Sequence, residues 1–106
     1  MSINLFCYTE LEHEAANNLN GLVSQDALFV NEDFLIYKAR EYNNEILEVI
    51  GIYIGDYNPR SYFLVYLRNK DKGFELRYVA NLIAKIYEKN VLVLYENEII
   101  WNKPFE

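Results

Sequence analysis

The residue types able to do chemistry gather near the start of this sequence. His13 is its single histidine, with Glu10 three residues before it and Glu14 one after, and Cys7 is its single cysteine. Carboxylates and an imidazole on one helix face can ligate a divalent metal, but a stable zinc site takes three or four protein ligands. No second histidine or thiol is present to complete one, so no metal is expected and His13 reads as a solvated residue on an acidic helix. Cys7 and His13 could serve as nucleophile and base where a strand end meets a helix start. Such a pair needs an orienting third group and an oxyanion site, and the sequence marks neither. A lone cysteine between Phe6 and Tyr8 reads instead as a small buried hydrophobe. The phosphate-cradling GxxxxGK[ST] and GxGxxG patterns and the zinc-protease HExxH are absent, and the four glycines are widely scattered. The expectation is a non-enzymatic chain with no catalytic residues and no cofactor.

What remains is charge and its distribution. The net charge is −6. Residues 1–37 carry Glu10, Glu12, Glu14, Asp26, Glu32 and Asp33 with no lysine or arginine, whereas residues 38–106 carry ten acids and ten bases. The whole excess therefore belongs to the first third. Direct nucleic-acid binding draws its affinity from a basic face that releases counterions, so that class is disfavoured. The ten tyrosines could form a base-stacking platform, but such platforms also line a basic groove. Core filling and a protein interface are the better readings for them. A basic protein partner fits the acids, and Glu10, Glu12, Glu14, Glu32 and Asp33 are the candidate contacts. Tyr57 joins them from the loop at 55–60, which sets an aromatic ring between an acid and a base.

These residues need a frame, and the frame is best specified at the far end of the chain. Residues 74–89 have Val79, Leu82, Ile83, Ile86 and Tyr87 on one helical stripe and Arg77, Asn81, Lys85 and Glu88 opposite. Asn90 can close that helix in the left-handed conformation. Residues 91–95 follow as a buried strand, with a last hairpin into 99–101. Upstream, residues 2–8 read as a strand. Thr9 and Glu12 read as a capping box opening a helix whose buried stripe is Leu11, Ala15, Leu19 and Leu22, and the asparagines at 17, 18 and 20 fray its end. Residues 27–30, 34–40, 45–54 and 61–68 are further strand candidates. The order is β-α-β-β-β-β-α-β-β, an α+β single domain with a mainly antiparallel sheet of five to six strands and two helices packed on it. The strand at 2–8 is expected beside 91–95. At 106 residues the chain suits one domain with its own core. Neither a signal-peptide pattern nor an apolar run of membrane-spanning length is present, which points to the cytoplasm and away from membranes.

Size, acidity, tyrosine content and the missing catalytic motifs together resemble the small acidic immunity proteins of bacterial contact-dependent and other polymorphic toxin systems. That resemblance implies binding to a cognate toxin domain, commonly a nuclease, with the acids imitating phosphate charge in its basic groove and steering encounter. The alternatives are a subunit that self-associates through the 91–101 region, a DNA mimic that inhibits a defence nuclease, and a small enzyme using Cys7 and His13.

Overall fold

Alternation over residues 61–67 builds the strand on which the sheet is assembled: Ser61, Phe63, Val65 and Leu67 are buried, and Tyr62, Leu64 and Tyr66 half-buried. A computed structural model of the chain describes residues 3–42, 59–88, 90–95 and 98–102. In it strand β4 (Ser61–Leu67) pairs along its whole length with β1 (Ile3–Thr9), from Ile3 opposite Leu67 to Thr9 opposite Ser61. On its other side β4 takes β2 (Phe34–Ile36) and β3 (Arg40–Glu41). Strand β5 (Leu92–Tyr95) lies against β1, and β6 (Glu98–Asn102) against β5. Every described pairing is antiparallel, the order is β2-β4-β1-β5-β6, and β3 pairs with β4 beside that path. The α+β class, the strand count and the adjacency of β1 to β5 are as expected.

The two long helices, α1 (His13–Val23) and α3 (Leu76–Ile86, numbered after the short α2 below), share one core with the sheet. From α3 come Val79, Ala80, Ile83, Ala84 and Tyr87, and from the sheet Leu5, Cys7, Phe63, Val65 and Leu67. Each fully buried large apolar side chain contributes about 1.5–3 kcal/mol, so this cluster holds the fold. Arg77, Asn81, Lys85 and Glu88 are exposed, as the helical stripe requires. A polar link ties the helices: the Tyr87 hydroxyl donates to Asn20 Oδ1 at 2.6 Å and contacts the Ala16 carbonyl at 3.1 Å.

Several local expectations give way to tertiary structure. Residues 27–30 form no strand but the short helix α2 (Ala27–Val30), because Asp26 caps it by accepting from Leu28 N at 3.0 Å. The candidate strand at 34–40 breaks into β2 and β3. The capping box does not form: the Thr9 hydroxyl donates to the Asn90 carbonyl at 2.6 Å, and α1 starts at His13 with no side-chain cap. Its buried face is Ala16, Asn20 and Val23 rather than Ala15 and Leu22, which are exposed. The asparagines fray nothing, since Asn17 and Asn20 make long-range hydrogen bonds. At the other end, residues 70–75 form a 3-10 helix that leads into α3, capped by Asn69, whose side chain accepts from Asp71 N at 3.2 Å. Glu88, at φ 52°, takes the left-handed position expected of Asn90. The strand candidate at 45–54 and Tyr57 lie outside the described residues.

Candidate functional site

The strand pairing places the acids of the first third at the two ends of β4. At one end, β1 runs out at Thr9, and its carbonyl accepts from Arg60 N at 2.8 Å just before β4 begins. That anchor holds Arg60 beside the start of α1, where its guanidinium meets Glu12 Oε1 at 2.5 Å. Ser61 Oγ donates to the Leu11 carbonyl at 2.7 Å and fixes the same junction. Glu12 therefore stands near Glu41 of β3, whose backbone lies opposite Ser61, and Glu10 and Glu14 flank Glu12 in the sequence. Glu12, His13, Glu41, Tyr42 and Arg60 line a cleft of about 350 Å³. Glu12, Glu14 and Glu41 are exposed and Glu10 is half-buried.

At the other end, Glu32 and Asp33 form the turn between α2 and β2. Glu32 takes a left-handed φ of 60°, and its carboxylate meets Arg68 at 2.7 Å. Asp33 is part of the turn itself: its carbonyl accepts from Arg68 N and Asn69 N, and its carboxylate accepts from Asn69 Nδ2 at 2.9 Å. Asp26 caps α2 and accepts from the Tyr78 hydroxyl at 2.7 Å, which holds that phenol above its ordinary range. Lys70, Lys72 and Arg77 follow Arg68 closely in the 3-10 helix and α3, so acids and bases mix here.

The candidate contacts are thus two sets rather than one. Arg60 and Arg68 are eight strand residues apart, about 26 Å at a rise of about 3.3 Å per residue. A standard interface of about 800 Å² per partner is roughly that wide, so one partner reaches both sets only at opposite rims. Both ion pairs are more than half exposed, at 60%/62% and 55%/63%. Surface pairs of this kind contribute about 0–1 kcal/mol, so they arrange charge more than they stabilise the chain.

Cys7 is fully buried in the central strand, and burial pushes its thiol up, towards the neutral form. His13 is exposed at the first residue of α1. The two do not share an environment in which one would activate the other. Among the described residues no group of three or more His, Cys, Asp or Glu could hold a metal ion. On the sheet face away from the main cluster, Tyr8 is buried against Tyr42 and Tyr62, with ring centroids 5.7 and 6.3 Å away. Its hydroxyl is pushed up to about 12 by burial first, then by Tyr42, Cys7 and Tyr62. Glu41 and Tyr42 escaped the sequence reading, since only the register of β3 on β4 brings them to the first helix, and Arg60, the base of the 55–60 loop, reaches it through its bond to Thr9. No described helix is long and apolar enough to cross a membrane.

The family model described as "CDI System Immunity Component" matches residues 1–99. No curated protein matches the sequence. Among solved structures, the fold is similar to a chain of a "CdiA-CT/CdiI toxin and immunity complex from Burkholderia pseudomallei". The TM-score is 0.78 at 25% sequence identity, over 92% of this chain and 96% of that chain.

Proposed function

The chain belongs to the CDI System Immunity Component family, and from that membership we propose that it neutralises a cognate toxin domain by binding it, without catalysis of its own. The likeness to a toxin and immunity complex supports a toxin as the partner. The toxin is a nuclease in this reading, and the protein acts in the cytoplasm, where an incoming nuclease would meet its substrate. The observation that carries the mechanism is the acid set at the β1–α1 end: Glu12 and Glu41 line a cleft whose one arginine is already held by Glu12, and Glu10 and Glu14 stand on either side of Glu12 in the sequence. Carboxylates presented this way occupy a groove shaped for phosphates and accelerate encounter. Glu32 and Asp33 serve as rim charges, and Tyr57 remains a proposed contact. The double variant E10K/E14K should bind the cognate toxin domain at least tenfold more weakly, with a flatter dependence on salt. Unchanged affinity and salt dependence would remove the acids from the mechanism.

Self-association is a second reading: within the expected 91–101 seam Val91, Leu92, Val93 and Leu94 are buried, and β6 lies at an edge of the described sheet. Val30, Phe74 and Tyr78 are instead exposed, at 64%, 76% and 47%, near the Asp26–Tyr78 contact. Sedimentation over a dilution series decides it: a mass independent of concentration eliminates this reading.

A further inference from the structure

The edge of the sheet beside the acidic end carries a second feature. Ile36 lies opposite Val65 and the Tyr37 amide donates to the Leu64 carbonyl at 2.9 Å, while Arg40 lies opposite Tyr62. Lys38 and Ala39 together therefore face the single residue Phe63. An extra residue of this kind is a β-bulge, which bends an edge strand and re-aims its side chains. The bulge is held from the helix layer: Asn17 of α1 accepts from Ala39 N at 2.7 Å and donates to the Ala39 carbonyl at 3.3 Å, replacing ladder bonds the bulge forfeits. Ala39 is drawn into the core, and Tyr37, Lys38 and Arg40 are left exposed. With Tyr62, Phe63 and Leu64 they line a groove of about 440 Å³.

This groove has the sign opposite to the cleft next to it. Lys38 and Arg40 are the first two bases in the sequence. Arg40 and Glu41 are consecutive residues of β3, the first lining the groove and the second the acidic cleft. The two sites therefore share a wall, well within one footprint of about 800 Å². Tyrosine and arginine are the residue types that anchor protein interfaces. We propose that this groove is the other half of the toxin-docking surface, taking an acidic segment of the toxin that borders its basic groove. The inference rests on the proposed toxin partner. An acidic site alone attracts any basic protein. A basic groove beside it fixes orientation, and sets like charges against a partner that lacks the matching acids. RNA is negative along its whole length and would set its phosphates against the acidic cleft next door, whereas a protein can offer carboxylates to this groove and bases to that cleft, so protein carboxylates are the favoured occupant.

The experiment compares K38E/R40E with E10K/E14K, by calorimetric titration against the cognate toxin domain. Both bases are exposed, and K38A/R40A serves as a milder control whose melting temperature should match the parent. The expected result is a loss of about tenfold or more for K38E/R40E, a smaller loss for K38A/R40A, and parental binding by K38R/R40K. If K38E/R40E binds as the parent does while E10K/E14K is impaired, the groove is not part of the surface and the acidic-end reading stands. Should the parent fail to bind the toxin domain, the reading and this inference fall together. Loss of binding to a labelled RNA oligomer, with toxin affinity intact, would assign the groove to nucleic acid and overturn the proposal.

Discussion

The two ends of β4 are built alike and carry charge differently. Each has an arginine flanking the strand, and each arginine holds one glutamate from the acidic first third: Arg60 with Glu12, Arg68 with Glu32. Arg68 is bonded to the Asp33 carbonyl through its amide and is followed in the sequence by Lys70, Lys72 and Arg77 against Asp71 and Glu75, so the charge there is mixed. Around Arg60 the cleft holds Glu12 and Glu41, with Glu10 and Glu14 next to Glu12 and Arg40 next to Glu41 in the sequence, and acid prevails. The acids at the two ends also differ in employment. Asp26 and Asp33 cap a helix and build a turn; no cap is formed by Glu12 where α1 begins. Acids needed for local architecture are poor evidence of a binding surface, and a sequence-wide charge count does not separate the two kinds.

The largest expected effect removes both ends at once. Ile83→Asp puts a carboxylate into the core that α3 shares with the sheet, at a cost of about 5 kcal/mol, comparable to the whole stability of a small domain. Loss of cooperative thermal unfolding is the readout; a melting curve like the parent's would mean that the frame is misassigned. Next comes the contrast itself. E32K/D33K should weaken toxin binding by no more than about threefold, as rim charges do, yet lower the melting temperature because the Asp33 carboxylate's bond to Asn69 is lost. E10K/E14K should do the reverse. Equal losses of affinity from the two variants would dissolve the distinction between the ends. The smallest effects are at the arginines. Arg60→Gln and Arg68→Gln should each cost less than about 1 kcal/mol in chemical denaturation. Only Arg60→Gln should then quicken toxin association at low salt, because it frees Glu12.

Much of the frame could be read from residue order. The alternation at 61–67, the stripe from Val79 to Tyr87 and the apolar run before Tyr95 are local patterns that burial then respects. The failures share a cause, which is a partner distant in sequence. Thr9 looks like a helix cap until Asn90, 81 residues on, takes its hydroxyl. Residues 27–30 are apolar and short, a length at which strand and helix look alike, and the Asp26 carboxylate decides between them. The stripe of α1 is displaced because Asn20, a polar residue, is buried to meet Tyr87. At the site, Glu10, Glu12 and Glu14 were visible as acids, but Glu41, Arg60 and the Lys38 bulge depend on strand register. Register is set by which side chains find the core, so it cannot be counted off from spacing.

The position of β1 has a consequence for how the protein is made. It is the first strand in the sequence and the middle strand of the sheet, with β4 on one side and β5 on the other. Its partners begin more than fifty residues later and end at Tyr95. During synthesis β1 leaves the ribosome with both edges open and must wait for most of the chain before either is covered. Such non-local pairing is slow to form and exposes unpaired backbone meanwhile. The acidic end depends on the same closure, because Arg60 reaches Glu12 only once β4 has docked on β1. A half-made chain therefore lacks the acidic end, which is assembled only when the central strand has both of its neighbours.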